Sequence, residues 1–248
     1  MRLIERHAAA AWPAVESREE EGWLLRHTPG VPRRRSNSAL PLARGEALLA
    51  ALSRVEDFYT DRGMPIAVQV APAEEHAALD ASLAERGYRR AAATRVCVAP
   101  TSTVIDQSRP SASLAVTLTE RPTRHWLDAY VALDGRENCQ ETADQVLSRV
   151  PGPAAYLSVE HGEGTAGMGL IVAAPGYGGI FCMATHPGYR RQGIATSILH
   201  VAARWAAARG AGEMYLQVMD DHEHYAARQM YDRVGFRVSH TYHYRLRP

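Results

Sequence analysis

Two stretches of this chain, far apart in sequence, follow one pattern, and that pattern limits the fold more than any other feature. A helical stripe (Leu48, Leu52, Val55, Tyr59) stops at Arg62-Gly63, a strand carries Val68-Gln69-Val70, and a second helix stops at Gly87-Tyr88. Late in the chain a helix stops at Arg209-Gly210, a strand carries Leu216-Gln217-Val218, and a further helix stops at Gly235-Phe236. The glycine-to-glycine separations are 24 residues (87 − 63) and 25 residues (235 − 210). Matching spacings around a shared Gln-Val step point to an internal repeat, with coincidence between two αβα segments as the alternative.

The second copy is preceded by something the first lacks. Arg190-Arg191-Gln192-Gly193-Ile194-Ala195-Thr196 follows the apolar run Ile180–Ala184 and a turn at His186-Pro187-Gly188. It leads into Ile194, Ile198, Val201, Trp205 and Ala208, the spacing of one helix face. The first turn of a helix has N–H groups with no partner inside the helix, and the dipole is positive there. Gly193 has no Cβ to hold a ligand off, Ala195 is nearly as small, and Arg190, Arg191 and the Thr196 hydroxyl add charge and a hydrogen bond. The stretch is therefore a candidate phosphate or pyrophosphate site. In the first copy the helix follows Leu40-Pro41-Leu42-Ala43-Arg44-Gly45-Glu46 with no such loop, so one ligand is expected, in the C-terminal half.

The chain divides, on this reading, into a lobe over 1–100, a linker over 101–113 where Ser, Thr and Pro dominate without periodicity, and a second lobe over 114–248. Three isolated cysteines with no C-x-x-C pattern suit free thiols in a reducing cytoplasm. A formal net charge of +1 argues against nucleic acid as partner. No apolar run is long enough to span a membrane, and the N-terminus has no signal-peptide core.

Taken together, Tyr189 to Ala195, the strand Tyr215–Val218, and Ala227-x-x-Met230-Tyr231-x-x-x-Gly235-Phe236 resemble the GNAT superfamily of N-acyltransferases over 114–248. The whole chain is similar to actinobacterial members with a degenerate N-terminal half. That closer match rests on Gly22-Trp23-Leu24-Leu25-Arg26, Asn37-Ser38-Ala39-Leu40-Pro41-Leu42 and Tyr242-His243-Tyr244-Arg245. The resemblance implies an α/β fold with a mixed sheet and an acyl-CoA donor, acetyl-CoA in the first instance, in a cleft where two strands splay. It implies that Arg190, Arg191, Gln192, Gly193, Ile194, Ala195 and Thr196 hold the pyrophosphate. Met183, Ala184 and Thr185 would pair their backbone with the pantetheine arm, a backbone N–H near Met183 would face the thioester oxygen, and Tyr231 would be the general acid. His224 stands where many members have an asparagine that contacts the cofactor arm, a departure at that contact.

Amine acylation by direct attack in a ternary complex needs a neutral amine, a polarised carbonyl and a proton for the leaving sulfur. Tyr231 suits the last role, because the first copy has Leu83 at the matching place and a packing position accepts Leu in both. Asp134, Glu137 and Glu141 are candidates on the acceptor side, with ordinary solvated carboxylates as the competing reading. No metal is expected: Asp220-Asp221-His222-Glu223-His224 reads as the acidic start of a helix. Arg33-Arg34-Arg35 reads as a solvated turn, Cys182 as a strand-core thiol, and His240 and His243 as residues of opposite strand faces. The expected partner is a small-molecule amine, the chain being a monomer or a homodimer. The alternatives are a donor carried as a thioester on an acyl carrier protein, and a non-catalytic acyl-CoA-binding module.

Overall fold

The computed structural model describes residues 2–248 other than Ala112, Arg136, Glu137 and Glu163. In chain order the elements are α1 (Arg2–Ala11), β1 (Glu16–Glu20), β2 (Trp23–His27), β3 (Leu40–Pro41), α2 (Glu46–Ala50), α3 (Leu52–Thr60), β4 (Ile66–Val70), α4 (Ala77–Glu85) and β5 (Arg89–Pro100). Then come α5 (Thr101–Gln107), β6 (Thr117–Thr119), α6 (Arg124–Asp134), α7 (Cys139–Gln145), β7 (Ala154–His161), β8 (Gly164–Ala174), β9 (Tyr177–Thr185), α8 (Ile194–Ala207), β10 (Glu213–Met219), α9 (Tyr225–Arg233) and β11 (Arg237–Arg247). Among the described residues no helix is long and apolar enough to cross a membrane.

Eight strands form one mixed sheet in the order β4-β11-β5-β10-β9-β8-β7-β6, and β1-β2-β3 form a small sheet beside it. The β3 end of the small sheet touches β4 through a parallel bridge between Ala39 and Val68. Side chains alternate across the large sheet, as a strand's two-residue period requires. On β10, Tyr215 enters the core under α1, α6 and α7, while Met214, Leu216 and Val218 enter the core under α5, α8 and α9. The N-terminal helices α2, α3 and α4 cover a third core built on Leu52, Val55, Tyr59, Val68 and Val70.

The repeat is real, and its two copies exchange strands. The unit β4-α4-β5 matches β10-α9-β11 at an offset of 148 residues (217 − 69 for the glutamines, 242 − 94 for Tyr242 and Thr94). Strand β5 does not stay beside β4; it lies antiparallel between β10 and β11, and β11 lies between β5 and β4. Thr94 faces its own counterpart Tyr242, and the flanking pairs Arg90↔Arg245 and Cys97↔Val238 exchange under the same offset. A pseudo-two-fold axis therefore passes through the β5–β11 ladder.

Three features differ from the sequence reading. The stretch read as a linker contains helix α5, whose Thr101 Oγ1 donates to the Ala211 carbonyl at 2.7 Å and which packs against α8. The division at 101–113 therefore falls within a continuous sheet, since strands from both sides of it alternate. Helix α1 and strand β6 add elements the reading omitted; α1 shows a helical stripe of Ile4, Ala8 and Ala11, all buried.

Polar contacts bind the halves as well. Glu5 of α1 is buried, accepts from Gln69 at 3.1 Å and from Gln217 at 3.4 Å, and bonds His240 at 2.7 Å. The two glutamines are the repeat's equivalent residues, so one carboxylate serves both copies. Gln69 passes the network on to Arg26, which is fully buried and also donates to the Ser38 carbonyl and hydroxyl. Asp80 of α4 accepts from Arg245 of β11 at 2.7 and 2.9 Å and bonds His243, on the sheet face opposite His240.

Two outcomes follow. Isolated 114–248 loses β4 and β5, which leaves β10 without one neighbour and β11 without either; it is expected to be insoluble or to lack a cooperative melt, whereas the full chain gives one transition. A soluble fragment with native-like amide dispersion would contradict the exchanged sheet. Asp80 is held down at about 2, chiefly by its bonds to Arg245. A depressed acid stabilises the fold above its unfolded value near 3.8 and loses that contribution as pH falls toward 2. Asp80→Asn should cost about 2 kcal/mol at pH 7 and much less at pH 2, read from denaturant melts at the two values.

Candidate acyl-transfer site

Strands β9 and β10 pair in parallel from Tyr177↔Glu213 to Ile180↔Leu216 and then part. A bulge in β9 marks the parting. Against β8, Leu170 pairs with Phe181 and Met168 with Ala184, so Cys182 and Met183 share one partner position, Gly169. Cys182 has φ of +50°, a left-handed backbone that an extended strand does not use. A Cβ on Gly169 would lie 2.7 Å from the Met183 sulfur and 2.9 Å from Ile198, so only glycine lets the bulge and α8 sit this close. Beyond Ile180, the β10-facing edge of residues 181–185 has no strand partner among the described residues.

The gap is a cleft of about 540 Å³ that passes through the sheet. On the α8 and α9 side it is lined by Met183, Val218, Ala227, Tyr231 and His224. On the opposite side it is lined by Trp12, Arg33, Arg34, Arg35, Tyr130, Asp134, Phe181, Tyr242 and Tyr244.

Tyr231 is buried on the inner face of α9, edge-on to Phe236 with ring centroids 5.9 Å apart. Its hydroxyl has no hydrogen-bond partner among the described residues. Burial raises its pKa above the ordinary phenol value, so it stays protonated through the neutral range. His224 precedes α9, and the Asp221 carboxylate accepts from its backbone N–H at 2.9 Å and bonds its Nδ1 at 2.7 Å. The acidic run is thus a helix-start loop; Asp221, bonded to His224, is held below the ordinary aspartate range.

At one end of β9, residues 187–189 form a single 3-10 turn and the chain enters α8 through Gly193, whose φ is +81°. Arg191 also has a positive φ, +66°, so the backbone curls ahead of the helix. Arg190, Arg191, Gln192 and Gly193 are exposed, and neither arginine makes an ion pair among the described residues. Ile194 is buried in the core, which anchors the first turn of α8, while Ala195 and Thr196 are half-exposed.

The structure therefore gathers Met183, Ala184, His224, Tyr231 and Asp134 around one cleft. Thr185 ends β9, and residues 190–196, the loop and first turn of α8, follow it outside the lining residues. Glu141, in the first turn of α7, is exposed and does not line the cleft, and Glu137 lies outside the described residues. Asp134 lines the cleft but is already engaged: it accepts from Arg33 at 2.8 Å and from the Cys139 thiol at 3.1 Å.

Two readings are corrected here. Cys182 is only partly a core thiol: it packs against the core under α1, α6 and α7, but it sits at the bulge, half-buried, on the cleft wall. Arg33-Arg34-Arg35 is not a solvated turn. Asn37 bonds back to Val31 and Thr28, which folds this loop against the C-terminal half. Arg33 then reaches Asp134 and Thr142, and the Arg35 guanidinium lies 5.5 Å from the Trp12 ring centroid and 5.6 Å from that of Phe181. Each cation–π contact of this kind contributes about 0.5–2 kcal/mol. Trp12, Tyr130, Tyr242 and Tyr244, none of them read from the sequence as a site residue, complete this wall. The Ile4-Ala8-Ala11-Trp12 stripe could have signalled a buried N-terminal helix, but nothing local says which sheet face it covers.

Solved structures share this architecture. A GCN5-related N-acetyltransferase from Kribbella flavida aligns with a TM-score of 0.74, covering 100% of this chain and 95% of that one at 14% identity. A tandem GNAT protein from the clavulanic acid biosynthesis pathway aligns with a TM-score of 0.68, covering 98% and 86% at 11% identity. The fold is thus the GNAT acyl-CoA-binding fold, and the alignments run over nearly the whole of this chain. In sequence, the uncharacterised N-acetyltransferase YobR of Bacillus subtilis is 27% identical over 250 residues, covering 100% of this chain and 98% of that protein. The family model described as "Probable histone acetyltransferase Rv0428c C-terminal" matches residues 1–245, and the chain belongs to that family of acetyltransferases.

Proposed function

We propose that the protein is an N-acetyltransferase that moves an acetyl group from acetyl-CoA to a small amine by direct attack in a ternary complex. The observation that carries this is the parting of β9 from β10 at Ile180↔Leu216, with a bulge at Cys182–Met183 and a protonated tyrosine facing it across the cleft. The unpaired edge of residues 181–185 suits the amide groups of a pantetheine arm. Residues 190–196, with two arginines that make no ion pair among the described residues and the first N–H groups of α8, suit the pyrophosphate. His224 would flank the arm from the α9 side.

In this reading the amine nitrogen attacks the thioester carbonyl from the Trp12 side of the sheet. A backbone N–H at the bulge stabilises the oxyanion, the C–S bond breaks, and Tyr231 donates a hydrogen bond or its proton to the sulfur. The nitrogen gives up its own proton to water in the open cleft, because Asp134 is held by Arg33. Holding both substrates in one cleft supplies much of the acceleration.

Calorimetric titration with acetyl-CoA is expected to give one site per chain, since only the C-terminal copy has the loop. Gly193→Trp, which places a bulky side chain at φ +81° on the approach, should weaken binding at least about tenfold. Two equal sites, or unchanged affinity in the variant, would refute the loop's role. Running the same assay with an acyl-carrier-protein thioester distinguishes the alternative donor.

Tyr231→Phe keeps the ring and its contact with Phe236. The rate at saturating amine should fall at least about tenfold, while acetyl-CoA affinity changes by less than about threefold, roughly 0.7 kcal/mol. An unchanged rate would make Tyr231 a packing residue; a parallel collapse of rate, affinity and melting temperature would make it structural.

A further inference from the structure

We propose that the acceptor is an amine that also bears a carboxylate, and that Arg35 and Trp12 form the site that receives it. The proposal rests on the acyl-transfer reading above and adds the acceptor's chemical class. Arg35 lines the cleft with its guanidinium against the rings of Trp12 and Phe181. A guanidinium is five donors and no acceptor, and it keeps its charge. Its polar neighbours are the side chains of Tyr242, to which it is hydrogen-bonded, Tyr244 and Cys182, and among the described residues no carboxylate is within ion-pair distance of it. Arg33, two residues earlier, shows the contrast: its carboxylate, Asp134, is in place at 2.8 Å.

A second, independent observation points the same way. The Trp12 indole Nε1–H is buried and has no hydrogen-bond partner among the described residues. An indole N–H is also donor-only. Two donor-only groups thus lie against one another on one wall: among the described residues the guanidinium has the Tyr242 hydroxyl but no carboxylate, and the indole N–H has no acceptor. Withdrawing a charge from water without a counter-charge is costly, and so is burying an unpaired N–H. A carboxylate answers both, with two oxygens matched to the guanidinium fork and lone pairs to spare for the indole. Phosphate-sized anions bound for the CoA pyrophosphate have their own cationic loop, residues 190–196, after the C-terminal end of β9. A lysine-rich peptide would meet Arg34 and Arg35 as like charges. Phe181 directly precedes the bulge, so the anion is held next to the proposed transfer point, a spacing that suits an α-amino acid or a comparably short amino-carboxylate.

The test is thiol release from acetyl-CoA with free L-amino acids, each paired with its α-carboxamide, for the wild type, Arg35→Met, Arg35→Lys and Trp12→Phe. Melting temperature and acetyl-CoA titration accompany each variant. At least one amino acid should be used with kcat/KM about tenfold or more above its amide. Arg35→Met should erase that preference through KM at unchanged acetyl-CoA affinity, Arg35→Lys should retain part of it, and Trp12→Phe should reduce it. Amides or a lysine-rich peptide accepted as well as the acids would overturn the proposal, as would Arg35→Met lowering acid and amide equally. If Arg35→Met does not fold, the wild-type pairs and Arg35→Lys still decide. A parallel series with succinyl-CoA tests the other source of a carboxylate: an Arg35-dependent preference for that donor would put the anion on the acyl group and overturn the acceptor assignment. No thiol release with any amine, while acetyl-CoA still binds, would instead refute the acyl-transfer reading on which this one stands.

Discussion

The antiparallel ladder between β5 and β11 is the contact on which the rest depends. Each strand ends one copy of the repeat, and each is hydrogen-bonded on its far side to the other copy's penultimate strand. Backbone groups buried in a sheet need partners, so neither copy can keep its own ladder complete without the other. The exchange also removes the exposed edges that two separate sheets would present beside one another. It fixes the position of β10, and β10 is one wall of the cleft.

The cleft comes from a pairing that stops. β10 is held on its β5 side along its whole length, from Glu213↔Pro100 to Met219↔Thr94, while on its β9 side it is held only through Leu216. With β10 anchored by β5 and β9 anchored by β8, the two diverge, and the bulge at Cys182–Met183 turns the freed backbone toward the gap. The degenerate lobe thereby contributes twice. It secures β10, and it supplies Trp12 and the Arg33–Arg35 loop to the far wall.

A buried polar chain sets the relation between the halves. Ser38, Arg26, Gln69, Glu5 and then Gln217 or His240 follow one another by hydrogen bonds. Burial lowers the Arg26 pKa, as loss of hydration does to any cation. Such networks add little stability relative to packed apolar groups, but each member left unpaired is costly, so they favour one arrangement over its near alternatives. Placing Glu5 between the equivalent glutamines makes α1 a lock across the pseudo-two-fold axis, and Trp12 follows directly after that helix.

The periodic and the local were legible in the sequence. Ile66–Val70 reads as a strand because it is a short apolar run between turns, and it is β4 with those bounds. The stops at Gly87, Gly210 and Gly235 fall where the chain takes a positive φ, which glycine adopts without strain. The repeat, the family, the loop before α8 and the contrast between Tyr231 and Leu83 were likewise present in residue order. What the tertiary structure alone decided is which copy a strand pairs with, because a strand's sequence encodes its faces and not its neighbour. It also decided the fate of charge. Arg33, Arg34 and Arg35 are alike in sequence, yet one is neutralised by Asp134, one is exposed and one rests on two aromatic rings. Whether an arginine is solvated or held depends on groups brought near it by folding from distant parts of the chain, and no local pattern carries that information.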